Sequence, residues 1–295
     1  MVPKPDLFLC EARHIALSSF LGHAGSVSPV PAERVRLDSL LASRGLFPSR
    51  SRAAASVMAG QVRLGAHGER AAKPGQLVAA DVELSVDEGP RHVSRGGTKL
   101  ENALTALGID VGGRGALDVG ASTGGFTDCL LQRGAAHVVA LDVAYGELAW
   151  TLRGDERVTV IERCNARSLE RDHLPYAPDL IVADVSFISL TKILPAVLAC
   201  AAPRFDALVM VKPQFEVGRE RLGKGGVVRD PELRREAVES VARFARERCG
   251  ASVLGFAPSG LPGPKGNIET FVWLAEGARE GTPGDLAAAI EEAGT

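Results

Sequence analysis

Leu117-Asp118-Val119-Gly120-Ala121-Ser122-Thr123-Gly124-Gly125-Phe126-Thr127 is the stretch whose reading decides the fold. The apolar run that starts at Ala116 closes in small residues, and a helix-forming segment begins at Gly124. Strand, tight glycine turn and helix, in that order, open a nucleotide-binding βαβ unit. The run from His137 to Asp142 then reads as a second strand ending in an acid. A carboxylate at that place can accept hydrogen bonds from both hydroxyls of a bound ribose.

The spelling of the turn narrows the ligand. A dinucleotide fingerprint places glycine where Ser122 stands, because backbone must approach a pyrophosphate closely. S-adenosylmethionine (SAM) has no phosphate, so Ser122 is tolerated and the extra acid Asp118 is not repelled. Asp118 falls where the cationic methionine part would lie. SAM is therefore the expected cofactor, with Asp118, Gly120, Ala121, Ser122, Gly124, Gly125, Phe126, Thr127, Asp142 and Val143 as its binding set. Asn165-Ala166-Arg167, after the third strand, is placed to meet the adenine edge.

Outward from the turn, strands are expected at 116–120, 137–142, 158–163, 179–184 and 206–212, alternating with helices. Alternation of this kind predicts an α/β fold with a doubly wound, mainly parallel sheet. Two more strands, 251–257 and 269–275, flank the Gly/Pro-rich stretch 258–268, which leaves no room for a crossover helix. This pair is expected to be antiparallel, completing a seven-stranded Rossmann-like sheet whose last strand is reversed. Asp184 and Lys212 then lie at carboxyl ends of parallel strands and Glu269 at the start of the reversed one. All three reach the edge that carries the glycine turn.

Upstream, the chain changes character. Net charge is −2 over 295 residues, but seven arginines and Lys73 stand against Asp38 and Glu69 between Arg34 and Lys73, a local +6 that leaves −8 elsewhere. A basic module joined to an acidic one points to nucleic acid. Val35, Leu37, Leu40 and Leu41 have helical spacing up to Gly45, and Ser49 is placed to cap a second helix that stops at Gly60. Strands are expected at 61–64 and 78–86, around the turn-rich segment 65–75. Arg36-Leu37-Asp38 with Leu40-Leu41, Ser49-Arg50-Ser51-Arg52-Ala53 and Gly60-Gln61-Val62-Arg63-Leu64 resemble the S-four RNA-binding domain, named after a ribosomal protein. That resemblance implies a small α+β RNA-binding domain over 33–90, with Arg36, Arg44, Arg50, Arg52 and Arg63 on the RNA. Residues 1–32 are expected to be a weakly ordered extension, 91–95 a linker, 96–277 the catalytic domain and 278–295 a helical tail. A helix is expected over 96–109, with Lys99 in its first turn, where the helix dipole disfavours a cation.

Further motifs carry a second resemblance. Ser94-Arg95-Gly96-Gly97-Thr98-Lys99-Leu100, the glycine turn, Ala183-Asp184-Val185-Ser186-Phe187-Ile188-Ser189-Leu190, Val211-Lys212-Pro213-Gln214-Phe215-Glu216, Gly225-Gly226-Val227-Val228-Arg229-Asp230 and Gly266-Asn267-Ile268-Glu269 look like the TlyA family. Those proteins are ribosomal RNA 2′-O-methyltransferases, historically labelled haemolysins. The likeness runs in order from about Arg34 to Ala275. The catalytic domain is also similar to FtsJ-type ribose methyltransferases, whose Lys-Asp-Lys-Glu tetrad maps to Lys99, Asp184, Lys212 and Glu269.

Such a set suits the implied chemistry. A ribose 2′-hydroxyl is a poor nucleophile, whereas the sulfonium of SAM is already an activated methyl donor. The enzyme must orient the hydroxyl and accept its proton. Lys212 is expected nearest the hydroxyl, with the Lys99 cation beside it favouring a neutral amine, and with Asp184 and Glu269 orienting the two amines. The glycine-rich segment 223–230 is either a loop closing over RNA or a plain connector. Aromatic residues are only 5% of the chain, which favours recognition of RNA by shape and phosphate over broad base stacking.

Ribosomal RNA in ribosomal subunits is thus the expected partner. The five cysteines, at 10, 129, 164, 200 and 249, never approach Cys-x-x-Cys spacing, which argues against a disulfide framework and a metal site and for the cytoplasm. No run reaches eighteen apolar residues, so no membrane partner is expected. A monomer is expected. The rival readings are a non-catalytic ribosome assembly factor, which the intact tetrad opposes, and a membrane-active haemolysin.

Overall fold

The computed structural model describes residues 33–87, 91–277, 279–281 and 283–294; the expected extension, 1–32, lies outside them. The chain divides near residue 88 into two units.

The first unit runs β1 (Arg34–Arg36), α1 (Leu37–Ser43), α2 (Arg50–Met58), β2 (Val62–Leu64), β3 (Glu69–Arg70), β4 (Leu77–Ala79) and β5 (Leu84–Val86). β1 pairs antiparallel with β4, and β2 lies between β3 and β5. Leu37, Leu41, Ala53, Val57 and Val62 make its core. Ser49 caps α2 as expected, accepting the Arg52 N–H. Two expectations fail. Val35 is not helical: it pairs with Val78 in β1, and α1 begins two residues later. The segment 78–86 is two strands, because the chain turns between Ala79 and Leu84 and the Arg44 guanidinium holds that turn through the carbonyls of Ala80 and Val82, at 2.7 Å each.

The second unit runs α3 (Arg95–Leu107), β6 (Gly115–Val119), α4 (Gly125–Gln132), β7 (His137–Leu141), α5 (Trp150–Arg153), β8 (Val158–Ile161), β9 (Leu180–Ala183), α6 (Leu194–Ala199), β10 (Asp206–Val211), α7 (Pro213–Glu216), α8 (Pro231–Cys249), β11 (Ser252–Pro258), β12 (Thr270–Ala275) and α9 (Leu286–Glu292). Its seven strands lie in the order β11-β12-β10-β9-β6-β7-β8, all parallel except β12, which is antiparallel to both neighbours. The central strands β6, β9 and β10 are apolar and almost wholly buried, as a sheet covered on both faces requires. One face packs on α6, α8 and α9, the other on α3, α4 and α5. On α8 the buried positions Ala237, Val238, Val241, Ala242 and Ala245 form one stripe.

The expected strands overran at the carboxyl edge, and the overrun is informative. Gly120, Asp142, Asp184 and Lys212 each come directly after a parallel strand, and Glu269 comes directly before β12. Register brings the last two together, because Val211 pairs with Thr270. Residues 91–95, expected as a linker, include Ser94, the cap of α3, and Arg95, its first residue. Lys99 is therefore the fifth helical residue, outside the first turn where the dipole acts most strongly. No helix among the described residues is long and apolar enough to cross a membrane.

Candidate active site

The carboxyl edge of the sheet opens into a cavity of about 830 Å³, lined among others by Lys99, Gly120, Asp184, Lys212 and Glu269. The four tetrad residues thus share one space, and they meet as two pairs. Lys99 Nζ bonds Glu269 Oε2; the lysine is 6% exposed and the glutamate 1%. Lys212 Nζ lies 2.5 Å from Asp184 Oδ1 as an ion contact, while its aligned hydrogen bond goes to Ser186 Oγ at 2.8 Å. The charged group in contact with Lys212 is the Asp184 carboxylate. Asp184 and Glu269 contact one amine each.

The glycine turn is fastened from two sides. Ser122 has a left-handed backbone (φ 47°), which side-chain-bearing residues adopt only when held there. Asp142 supplies the hold: its Oδ2 accepts the Ser122 N–H at 2.7 Å, and its Oδ1 accepts that of Ala144 at 2.8 Å. A carboxylate has about four acceptor positions, so Asp142 retains capacity for a ribose hydroxyl after both bonds. At Gly120 (φ 84°) a Cβ would lie 2.8 Å from the Asp184 carbonyl oxygen. The turn therefore touches the tetrad strand through bare backbone. Asp118 and Thr127 sit beneath it, fully buried, with Thr127 Oγ1 donating to Asp118 Oδ2 at 2.7 Å and Asp118 Oδ1 without a partner among the described residues. A buried carboxyl group with one oxygen unpartnered, a ribose-competent acid and a cradle of bare backbone suit SAM.

A second glycine pair explains the Ser-Arg-Gly-Gly motif. A Cβ on Gly97 would meet the Gly125 carbonyl oxygen at 2.8 Å, and one on Gly125 would meet the Gly97 nitrogen at 2.9 Å. Only glycine at both positions lets the amino ends of α3 and α4 touch. Glu101 on α3 and Arg133 after α4 clamp the same pair of helices with bonds of 2.9 and 3.0 Å. That guanidinium, beside it in hydrogen-bond contact, holds the Glu101 carboxyl down to about 2.

Not every expected cofactor residue reaches the cavity. Ala121, Ser122, Gly125 and Phe126 line it, and Asp142 lines a small cleft beside it with Ser122 and Glu147. Gly124 lies behind the turn, packed on Leu148 and Leu152. Val143 is 70% exposed and outside the cavity wall, as are Asn165, Ala166 and Arg167; Asn165 Oδ1 is occupied by the Arg167 N–H.

Other lining residues carried no role of their own in the sequence: Ser186, Phe187, Gln214, Phe215 and Asn267. Their only signal was membership of the quoted motifs. Phe187 stands out, being 93% exposed with a left-handed backbone (φ 64°) and a ring centroid 5.3 Å from that of Phe215. Asn267, buried, accepts the Val228 N–H at 2.9 Å and donates to the Gly226 carbonyl at 3.0 Å. The glycine-rich segment is thus tied to the stretch before β12 that carries Glu269.

In the first unit, four of the five candidate RNA-binding arginines are already engaged. Arg36 bonds Asp38 at 2.7 and 3.1 Å, Arg50 lies 3.5 Å from the same carboxylate, Arg63 bonds Asp87 at 2.9 Å, and Arg44 holds the turn at 80–82. The Arg36 hydrogen bond brings the Asp38 carboxyl down to about 2. Arg52, and with it Arg34, Arg70 and Lys73, has no side-chain hydrogen bond or ion pair among the described residues.

Comparison with known proteins agrees with this geometry. Residues 92–276 match the family of FtsJ-like methyltransferases. The chain is 52% identical over 245 residues, covering 82% of it and 90% of the relative, to the 16S/23S rRNA (cytidine-2′-O)-methyltransferase TlyA of Mycobacterium tuberculosis. It is 39% identical to the Hemolysin A of Brachyspira hyodysenteriae, covering 80% of this chain and 97% of that one. Among solved structures, a candidate hemolysin from Streptococcus thermophilus superposes with a TM-score of 0.66 at 39% identity, over 89% of this chain and 96% of that one.

Proposed function

Because the chain belongs to the FtsJ-like methyltransferase family and takes its methyl group from SAM, we propose that it methylates the 2′-hydroxyl of a cytidine ribose in ribosomal RNA within ribosomal subunits. One observation carries this reading: two lysine–carboxylate pairs face one cavity beside the glycine turn. The M. tuberculosis relative, named for that reaction on 16S and 23S rRNA, supports the substrate. The reading places the reaction in the cytoplasm, on a monomer, and uses no metal.

When bound, SAM supplies a methyl carbon already activated by its sulfonium. The chain's own work is then to hold and deprotonate the hydroxyl. Lys212, paired with Asp184 as an ammonium, must first give up a proton to solvent; the amine then takes the 2′-hydroxyl proton while the oxygen bonds to the methyl carbon and the carbon–sulfur bond breaks. The ammonium so formed is received by Asp184 and Ser186, the groups that already contact Nζ. Lys99 and Glu269, one buried ion pair, form the fixed wall against which the ribose is oriented. The experiment is methyl transfer from labelled SAM to ribosomal subunits, followed by nucleoside digestion. Label in 2′-O-methylcytidine is expected; label confined to base-methylated nucleosides would overturn the proposal.

Phe187 fits as the platform for the target base, since an apolar ring left 93% exposed in a strained conformation, even with Phe215 beside it, offers surface on which a base can stack. Stacking of a base on an aromatic ring is worth about 1–3 kcal/mol by alanine substitution. Phe187→Ala should therefore lose roughly 10- to 100-fold in kcat/KM for RNA, with SAM affinity unchanged in calorimetry.

The first unit is assigned the task of holding RNA through its unpaired cations. Arg52→Ala combined with Arg70→Ala should flatten the dependence of log affinity on log salt by roughly 0.7–0.9 for each phosphate no longer neutralised. Arg63→Ala, whose partner is Asp87, should change the slope less. Filter binding to ribosomal RNA between 50 and 200 mM salt (about the range over which counterion release shows) checks the difference. Equal slopes for all three proteins would return Arg52 and Arg70 to the solvated surface.

A further inference from the structure

Asp118 lies one residue before the end of β6 and is fully buried, with one hydroxyl donor on Oδ2 and none on Oδ1 among the described residues. An ionised carboxylate out of water with only the Thr127 hydroxyl and backbone N–H as neutral donors is strongly disfavoured. The charges that act on it make matters worse. Asp184, beyond β9, and Asp142, beyond β7, are both negative. From α4 comes only the Thr127 hydroxyl and its backbone. Of the cations that line the cavity, Lys99 of α3 is engaged with Glu269 before β12, Lys212 after β10 with Asp184 and Arg95 with the Pro262 carbonyl, and neither these nor Lys265 is among the charges that act on Asp118. What is missing from the surroundings of Asp118 is a positive charge.

SAM brings one. At neutral pH its sulfonium and ammonium outweigh its carboxylate, giving a net charge of about +1. We propose that Asp118 is a neutral carboxylic acid in the free enzyme and surrenders its proton to solvent when the cationic amino-acid part of SAM settles at the glycine turn, so that cofactor binding and proton release are one coupled event. Burial, reinforced by Asp184 and Asp142 and opposed by Thr127, pushes the Asp118 carboxyl up to about 7, which puts the exchange near neutral pH. The inference rests on SAM being the methyl donor.

Linkage sets the sign. Below about 7 the free enzyme must lose a proton to bind, so SAM affinity should rise roughly tenfold between pH 5.5 and 7. Calorimetry of SAM binding to the full chain at pH 6.5, in buffers of different ionisation enthalpy, should show release of a large fraction of a proton. Asp118→Asn can still accept the Thr127 hydrogen bond; it should release none and bind with an affinity flat over that range. The amine of SAM titrates equally for both proteins and cancels in the comparison. A pH dependence that survives in Asp118→Asn, or a parent enzyme that releases no proton, would overturn the proposal.

A second readout needs no cofactor. A carboxyl whose folded-state value is raised stabilises the fold below the ordinary carboxylate range and loses that contribution as pH rises through about 7. The free parent protein should therefore lose thermal stability relative to Asp118→Asn between about pH 4 and 7 (roughly the window spanned by the shift). Parallel melting profiles would overturn the proposal even if the variant bound no SAM. Failure of the parent to bind SAM at any pH would instead sink the cofactor assignment, leaving the melting comparison to report on Asp118.

Discussion

Lys212→Ala is expected to bind SAM and ribosomal RNA nearly as the parent does and to transfer methyl roughly 10²–10⁴-fold more slowly in single turnover, the usual worth of a positioned general base. The amine sits directly after β10, in contact with Asp184 and Ser186 on the cavity wall. Its loss removes proton acceptance and one anchor of the ribose. Lys212→Arg should fare little better: a guanidinium stays protonated and cannot act as a base. Single-turnover methylation of ribosomal subunits, with both bindings measured in parallel, separates the two roles. Near-parental rates for Lys212→Arg would leave positioning by charge, and not proton transfer, as the function of this residue.

The second large effect is on the fold. Lys99→Met should destabilise the second unit by about 3–5 kcal/mol, the cost of leaving one member of a buried ion pair without its partner. Glu269, at 1% exposure, would have no water to replace the lost ammonium. For a unit of this size the melting temperature should fall by roughly 10 °C. Lys99→Met with Glu269→Leu should regain much of that stability, since the uncompensated charge is gone, while remaining inactive. Thermal unfolding beside the methylation assay checks both parts. A double variant no more stable than Lys99→Met would mean that the pair does not act as a unit.

The sheet and the tetrad were legible because their signals are local. Apolar runs mark parallel strands; Asp184 and Lys212 are each the first position beyond one of them and Glu269 stands directly before β12, whereas Lys99 is carried by α3. What escaped was set by tertiary contact. Nothing local in Ser122 announces a left-handed backbone; Asp142, twenty residues on, imposes it. The Ser-Arg-Gly-Gly motif was recognisable, but its reason, contact between the amino ends of α3 and α4, requires Gly125 to be facing Gly97. Val35 was read as helical from its spacing to Leu37 and Leu41, and pairing with Val78 overrode it. The arginines counted as one basic surface proved to be of two kinds, paired and unpaired, because the count could not see that Asp38 is shared by Arg36 and Arg50. Phe187 was hidden by being ordinary in sequence; only exposure and backbone strain mark it.

Methyl mapping on ribosomal RNA tests the central claim most directly. Ribosomal RNA from cells carrying the chain should contain a cytidine 2′-O-methyl that resists alkaline cleavage. That mark should be absent from cells lacking the chain, restored by the parent gene and not by one encoding Lys212→Ala. Identical 2′-O-methyl maps with and without the chain would contradict the account.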